Sequence, residues 1–275
     1  MPDLYRIIGI ESDIDQIDGA KEMKIVSIGA GNLSAHLSKT LQNAGFKIVQ
    51  VYSRTETSAK ELAGRLQAPY TTEIDDIIKD ASLYIISVSD DAIESLAEQL
   101  TFTGGLVVHT AGSVPMDVFA GKIMNYGILY PLQTFSKLRP VNFSEVPFFI
   151  EANTQDNLQK LRMVAQAISH KIYEASSEER MKLHLAAVFG CNFVNHLYHL
   201  SAQIVQQAGF DFSILSPLII ETAQKTIESK NPKDVQTGPA ARNDLKVMSK
   251  HLEMLASEPK WKEIYAILSE NISKE

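Results

Sequence analysis

The hydrophobic period changes once along this chain, and the change divides it. Met23-Lys24 opens KIVSIGAG, an apolar run rich in β-branched residues that ends at glycines. A run apolar on both faces marks a strand inside a parallel sheet. Asn32 to Gly45 (NLSAHLSKTLQNAG) then follows a helical period and stops at a glycine suited to the left-handed end position. Next come a strand at KIVQVYS, a helix at TSAKELAGRL, a short helix at 73–79, a strand at 83–88 and a helix at 90–100. Strands follow at 106–109, 125–130 and 147–150. Strands separated by helices of about 10–15 residues predict βαβ units and a doubly wound α/β sheet.

From about residue 175 the strand signal ends. Ser176-Ser177-Glu178-Glu179 fits a capping box, and a helical pattern runs unbroken from it to Gly209. At ~1.5 Å per residue such a helix is roughly 45–50 Å long. Further helices are expected at 214–228, 240–255 and 260–272. The predicted organisation is an N-terminal extension over 1–22, a sheet domain over 23–175 and an all-helical domain over 176–275. The role of 1–22 stays open between an added edge strand and a lead segment.

Composition narrows the function classes. The 275 residues hold 26 Lys plus Arg against 33 Asp plus Glu, a formal charge of −7, which argues against a nucleic-acid partner. The lone Cys191 cannot form an internal disulfide, and no Cys/His cluster has zinc spacing, so no metal is expected. No apolar run reaches the ~18 residues of a membrane span, and the first twenty lack a secretory pattern. A cytoplasmic setting with no membrane partner is expected.

Gly29-Ala30-Gly31-Asn32-Leu33-Ser34 is G-x-G-x-x-S between a strand and a helix. The first glycine permits the tight turn, the second lets a diphosphate reach the backbone, and the third position needs only a small residue. The helix N-terminus adds unpaired N–H groups and a partial positive charge. A turn serving packing alone is the competing reading. At the end of the next strand an NAD-binding chain usually carries a carboxylate for the ribose 2′-hydroxyl; this one carries Ser53, Arg54 and Thr55, with Ser58 and Lys60 beyond. A guanidinium with hydroxyls suits a 2′-phosphate, so NADP(H) is favoured over NAD. The alternatives are a solvated Arg54 and a Thr55 that caps the next helix. At the fourth strand end, the backbone at Val88 and Ser89 is expected to line the cofactor site, with Asp90 and Asp91 serving the helix dipole.

On IGAGNLSAHL, SDDAI at 89–93, HTAGS at 109–113, YPLQTF at 130–135, HLAAVFGCNF at 184–193 and TGPAARNDLKVMSKHL at 237–252, the chain resembles a Rossmann-like family. Its members carry a C-terminal domain of unknown function and are often labelled NADP oxidoreductases of the deazaflavin-dependent type. More distantly the chain is similar to pyrroline-5-carboxylate reductase and the β-hydroxyacid dehydrogenases. The resemblance implies NADP binding, a small-molecule substrate in a cleft between the domains, and a homodimer through the C-terminal helices. Two departures matter. Where relatives tend to have His-Pro-Leu-Gln, this chain has Tyr130-Pro131-Leu132-Gln133; where β-hydroxyacid dehydrogenases have a lysine four residues before Asn192, it has Val188.

Hydride transfer asks a protein to hold a nicotinamide against a substrate and to manage one proton. His109, Tyr130 and His184 are the candidates for that proton, with Asn192 on the same helical stripe as His184. For His109 a buried imidazole bonded to backbone is an equal alternative, and for His184 and Asn192 a structural network. The apolar neighbours Leu185, Ala186, Ala187, Phe189 and Phe193 suggest that this stretch is largely buried. Gly112, Ser113, Gln133 and Arg242 are candidates for substrate binding. Ser113 competes with a role capping the helix at Pro115, and Arg242 with a salt-bridged helix start at Asp244. The expected activity is NADP(H)-dependent reduction or oxidation of a small C=N or C=O substrate. The alternative is a dinucleotide-responsive binding or regulatory protein without turnover.

Overall fold

The computed structural model describes residues 23–102 and 104–274, so the expectation for 1–22 lies outside the described residues. The chain divides into two compact units, one ending at Val188 and one running from Phe189 to the C-terminus.

The first unit is built on an eight-stranded sheet. Its strands are β1 (Lys24–Ile28), β2 (Lys47–Tyr52), β3 (Tyr70–Thr71), β4 (Leu83–Ile86), β5 (Leu106–His109), β6 (Tyr126–Pro131), β7 (Phe148–Ala152) and β8 (Ile172–Glu174), in the order β3-β2-β1-β4-β5-β6-β7-β8. Pairing is parallel except between β6 and β7, which are antiparallel with Tyr130 opposite Phe149 and Ile128 opposite Glu151. Helices α1 (Asn32–Asn43), α2 (Glu56–Leu66), α3 (Asp90–Gln99), α4 (Gln155–Gln166) and α5 (Ser177–Ala187) complete the unit. The strand order reverses between β1 and β4, and ligands of open α/β sheets bind at such a switch point, outside the carboxyl ends of the strands.

Each central strand feeds two cores, as the doubly apolar runs require. Ile25, Leu83, Leu106 and Leu129 pack on one face with Leu37, Leu41 and Leu62 of the helices. Val26, Tyr84, Ile86 and Val107 pack on the other with Ile93, Leu96 and Phe119. Burial of these apolar side chains stabilises the unit by roughly 1.5–3 kcal/mol each.

Several local expectations change. The segment 73–79 is a turn with Ile77 N–H bonded to the Ile74 carbonyl, not a helix. Its apolar residues, among them the buried Ile77, mimic a helical stripe, yet Gln50 reaches in to satisfy the Ile78 N–H and the Asp76 carbonyl in place of helical bonds. The short edge strands β3 and β8 carry too few residues to show a period. The compact units divide after Val188, so the capping-box helix α5, expected to open the helical domain at 176, lies in the first unit, packed with the sheet through the buried Arg180.

Ser176 makes the predicted capping box with Glu179. The helix it starts is not an unbroken α-helix to Gly209, since α5 ends at Ala187 and a π-helical segment occupies Val188–Phe193 before α6 (Val194–Gln207). The second unit adds α7 (Ser216–Glu228), α8 (Leu245–Met254) and α9 (Pro259–Lys274). The helix expected from 240 begins at Leu245, because Asn243 takes a left-handed φ of 52° and Asp244 caps by accepting from the Val247 N–H at 3.1 Å. The stretch expected to be buried is open in the single chain: Leu185 is 56%, Phe189 63% and Phe193 50% exposed. No helix among the described residues is long and apolar enough to cross a membrane.

Candidate active site

The glycine turn leaves β1 with Gly29 at φ +113°, its N–H donating to the Tyr52 carbonyl at 2.8 Å. A Cβ on Gly29 would lie 2.2 Å from the Ser87 carbonyl oxygen, so the turn is pressed against the end of β4. Gly31 is different. A Cβ there meets nothing within 4 Å, so the backbone faces open space where α1 begins. Gly31 is also the N-cap and has no side chain to satisfy the first-turn N–H groups, and the first turn holds no acidic residue. Those donors point outward with the positive end of the helix dipole behind them, a cradle for a diphosphate. Ser34 at the third position bonds the Gly29 carbonyl at 2.6 Å and Ser27 at 2.9 Å, packing helix on strand through hydrogen bonds.

This turn lines a cavity of about 890 Å3 within the first unit. Gly29, Ala30, Gly31, Asn32 and Leu33 form one part of its wall; Ser53, Arg54 and Thr55 after β2 form another; Val88 and Ser89 after β4 a third. Arg54 is exposed, and Thr55 occupies the N-cap of α2 without a side-chain hydrogen bond to the helix, which leaves its hydroxyl unused there. Ser58 lines the cavity too, whereas Lys60 pairs with Glu56 at 3.5 Å.

Tyr130, Gln133, Gly112 and His184 line the same cavity. The Tyr130 hydroxyl is 3.2 Å from His184 Nδ1, and their rings meet edge-on. Gly112 makes this contact possible, since a Cβ there would stand 2.7 Å from His184 Nδ1 and 2.8 Å from Tyr130 Cζ. Burial pushes the Tyr130 phenol above its usual pKa; the positive charge of Arg180 pulls it down and Asp90 pushes it up.

Other candidates lie elsewhere. His109 is fully buried and is not part of the cavity wall; its Nδ1 accepts from the Ala111 N–H at 3.2 Å. Burial first, and the nearby Arg180 charge second, hold its pKa down at about 3 against a weaker opposing pull from the Pro115 carbonyl. This imidazole is kept neutral and is not part of the wall at which a substrate would receive a proton. Ser113 neither lines the cavity nor caps a helix: its hydroxyl bonds Asp90, and Pro115 takes the N-cap place of the following 3-10 turn. Asn192 and Arg242 belong to the second unit, both exposed, Asn192 in the π segment and Arg242 in a 3-10 turn. Among the described residues no group of His, Cys, Asp and Glu is arranged to hold a metal ion.

Sequence reasoning passed over Tyr52 and Phe135, which line the cavity, and the pair of buried Arg180 with half-buried Glu151 behind it. The one available signal was Arg180 standing four residues before His184, hence on one helix face.

With the cavity defined, comparison places the chain. A crystal structure described as "putative NADP oxidoreductase BF3122 from Bacteroides fragilis" shares 47% identity, covering 93% of this chain and 100% of that one at a TM-score of 0.88. The chain belongs to the NADP oxidoreductase family. Residues 24–112 match the family described as NADP oxidoreductase, coenzyme F420-dependent, and residues 146–272 match a domain of unknown function, DUF2520. Protein TM1727 from Thermotoga maritima, at 21% identity over 91% of this chain and 97% of its own, superposes at a TM-score of 0.68. A 1-pyrroline-5-carboxylate reductase from Streptococcus pyogenes, at 14% identity over 93% and 100%, has a TM-score of 0.62 and shares the fold. No curated protein matches this sequence. The chain is therefore an NAD(P)-binding oxidoreductase, and the open backbone at Gly31 together with the uncapped helix start fits that cofactor's diphosphate.

Proposed function

We propose that this protein is an NADP(H)-selective oxidoreductase acting on a small C=N or C=O substrate, with Tyr130 and His184 managing the proton. One observation carries the reading: the uncapped glycine turn, the Ser53-Arg54-Thr55 strand end and the Tyr130–His184 pair line a single cavity. Bound NADPH supplies a hydride. The chain's own residues bind it, orient the substrate and hold the proton. The N–H groups around Gly31–Leu33 would take the diphosphate, and Arg54 with Ser53 and Thr55 the 2′-phosphate, where a guanidinium can bond two oxygens at once. The Val88–Ser89 backbone would line the ribose region.

A phenol keeps its proton at neutral pH, and burial strengthens that hold on Tyr130. It can therefore donate to a nitrogen or oxygen that gains charge as the double bond is reduced. The phenolate left behind would face the positive charge of Arg180, and His184 Nδ1, 3.2 Å away, stands ready to exchange the proton. Gly112 and Gln133 would border the substrate. A C=N substrate is favoured by the fold shared with the pyrroline-5-carboxylate reductase. The exposed Phe189, Phe193, Ile214 and Leu218 of the second unit support a homodimer through the C-terminal helices, which light scattering reads directly.

The deciding experiment pairs cofactor binding with turnover. Arg54→Ala should weaken NADPH binding tenfold or more, about 1.4 kcal/mol, while NADH binding changes little. NADPH absorbance at 340 nm should fall with at least one member of a panel of imines, oxo acids and aldehydes, and Tyr130→Phe should slow that loss. Equal weakening for both cofactors would remove the phosphate selection. Tight NADPH binding with no oxidation across the panel would favour a dinucleotide-responsive binding protein.

A further inference from the structure

Behind the Tyr130–His184 contact lies an ion pair, a buried guanidinium on a half-buried carboxylate, that the reaction as proposed does not use directly. Arg180 is 1% exposed, and its Nη1 donates to Glu151 Oε2 at 2.6 Å. Its Nη2 donates to the Val114 carbonyl and to Ser177 Oγ. Glu151 also accepts from the Ser177 N–H at 3.1 Å and from its hydroxyl at 2.7 Å, so one carboxylate ties the first turn of α5 to β7. Desolvating two charges is costly, and such a pair adds little net stability over an apolar one of similar volume. Arg180 Nε and His109 Nε2 are, among the described residues, buried side-chain nitrogens with no hydrogen-bond partner. Packing alone does not account for a guanidinium kept here.

The strand register supplies a reason. Tyr130 lies opposite Phe149 and Ile128 opposite Glu151. Directly opposed residues of antiparallel strands point to one face, and so do residues two apart, so Tyr130 and Glu151 share a face of the sheet. On α5, Arg180 and His184 are four apart and share a face of the helix. The match is at two points, Arg180 on Glu151 and His184 on Tyr130.

We propose that Arg180–Glu151 is a positioning ion pair, which docks the first turns of α5 on β7 in the one register that sets His184 against Tyr130 and places a buried positive charge beside the phenol. This rests on the Tyr130–His184 reading above and can fail separately from it. The charged and titratable groups around Tyr130 are His184 and Arg180 from α5, Asp90 from α3 and Glu151 from β7; Arg180 favours the phenolate and Asp90 opposes it.

The test is NMR on the full chain with 13C-labelled tyrosine and 15N-labelled histidine, the two signals assigned with Tyr130→Phe and His184→Asn. In Arg180→Met the Tyr130 titration should move to higher pH, and the His184 signal should stop responding to Tyr130→Phe. Arg180→Lys, which keeps the charge, should bring the Tyr130 titration back toward its native position; a purely structural role predicts no such rescue. Glu151→Gln should likewise uncouple His184 from Tyr130. Should Arg180→Met fail to fold by circular dichroism, the charge-free Arg180→Met/Glu151→Leu double variant is read by the same signals. Tyr130 and His184 signals unchanged in a folded variant lacking Arg180 would overturn the proposal. Unmoved signals in a folded Arg180→Met protein, beside NADPH oxidation by the parent, overturn the positioning role alone; moved signals in Arg180→Met, while the parent itself oxidises NADPH with no member of the panel, overturn the proposed reaction alone.

Discussion

The two glycines of the first turn should fail in opposite ways when each becomes alanine. Gly29 has φ +113°, and its new Cβ would stand 2.2 Å from a backbone oxygen, that of Ser87. Neither partner can swing away, because the Ser87 N–H is bonded to the Ile28 carbonyl at 2.7 Å and the Gly29 N–H to Tyr52 at 2.8 Å. The unfavourable φ costs about 1–3 kcal/mol and the forced shift of β1 from β4 another ~1–3, so Gly29→Ala should lose roughly 2–6 kcal/mol. For a unit of this size that lowers the melting temperature by roughly 4–24 °C. Gly31 sits at φ −78°, a value alanine adopts freely, with nothing within 4 Å of its Cβ. Gly31→Ala should therefore melt within a degree or two of the parent. Its methyl group instead occupies the space offered to the diphosphate and should weaken NADPH binding tenfold or more, about 1.4 kcal/mol. Thermal unfolding followed by circular dichroism reads the first quantity, and calorimetric titration with NADPH the second. A Gly31→Ala protein that binds NADPH like the parent would refute the placement of the cofactor on this turn.

Two further outcomes follow from particular contacts. Gly112→Ala drives a methyl group into His184 and Tyr130 at 2.7–2.8 Å; it should cost about 1–3 kcal/mol of stability and slow NADPH oxidation at least tenfold. Parental turnover in this variant would show that the contact is dispensable. His109 is held neutral in the fold with its pKa at about 3, while the unfolded chain takes up that proton near pH 6.5. The unfolded state thus binds more protons between those values, so the stability from this residue is complete above pH 6.5 and is lost as pH falls toward 3. Urea titrations from pH 6.5 to 5 should show a slope approaching 1.4 kcal/mol per pH unit that His109→Leu removes, and an unchanged slope would contradict the burial argument.

The dinucleotide-binding half was legible because its signals are local. Apolar runs such as LYIISV can be satisfied only by a strand covered on both faces, and a glycine pair between strand and helix has few uses besides a tight turn at an anion site. The capping box at Ser176 was equally local, two side chains three residues apart closing on each other's backbone. The segment 73–79 misled because its stripe imitates a helix while its backbone groups are satisfied by Gln50, a residue on β2.

What the amino-acid order settled by itself, then, is most of the alternation of strands and helices, with the glycine turn and the Ser53-Arg54-Thr55 group at the ends of their strands, since each depends on neighbours within a few residues. Only the tertiary structure decided that His109 is sealed inside while Tyr130 meets His184 over Gly112, that β7 runs against β6, and that Arg180 finds Glu151. These pairings join residues far apart in sequence, such as Arg180 and Glu151, 29 positions apart, and Tyr130 and His184, 54 apart, and nothing in a local period encodes which of several candidate side chains the sheet register brings face to face. The register does so because strand pairing is set by the whole sheet's hydrogen bonds and by burial on both faces, quantities that exist only after the chain has closed on itself.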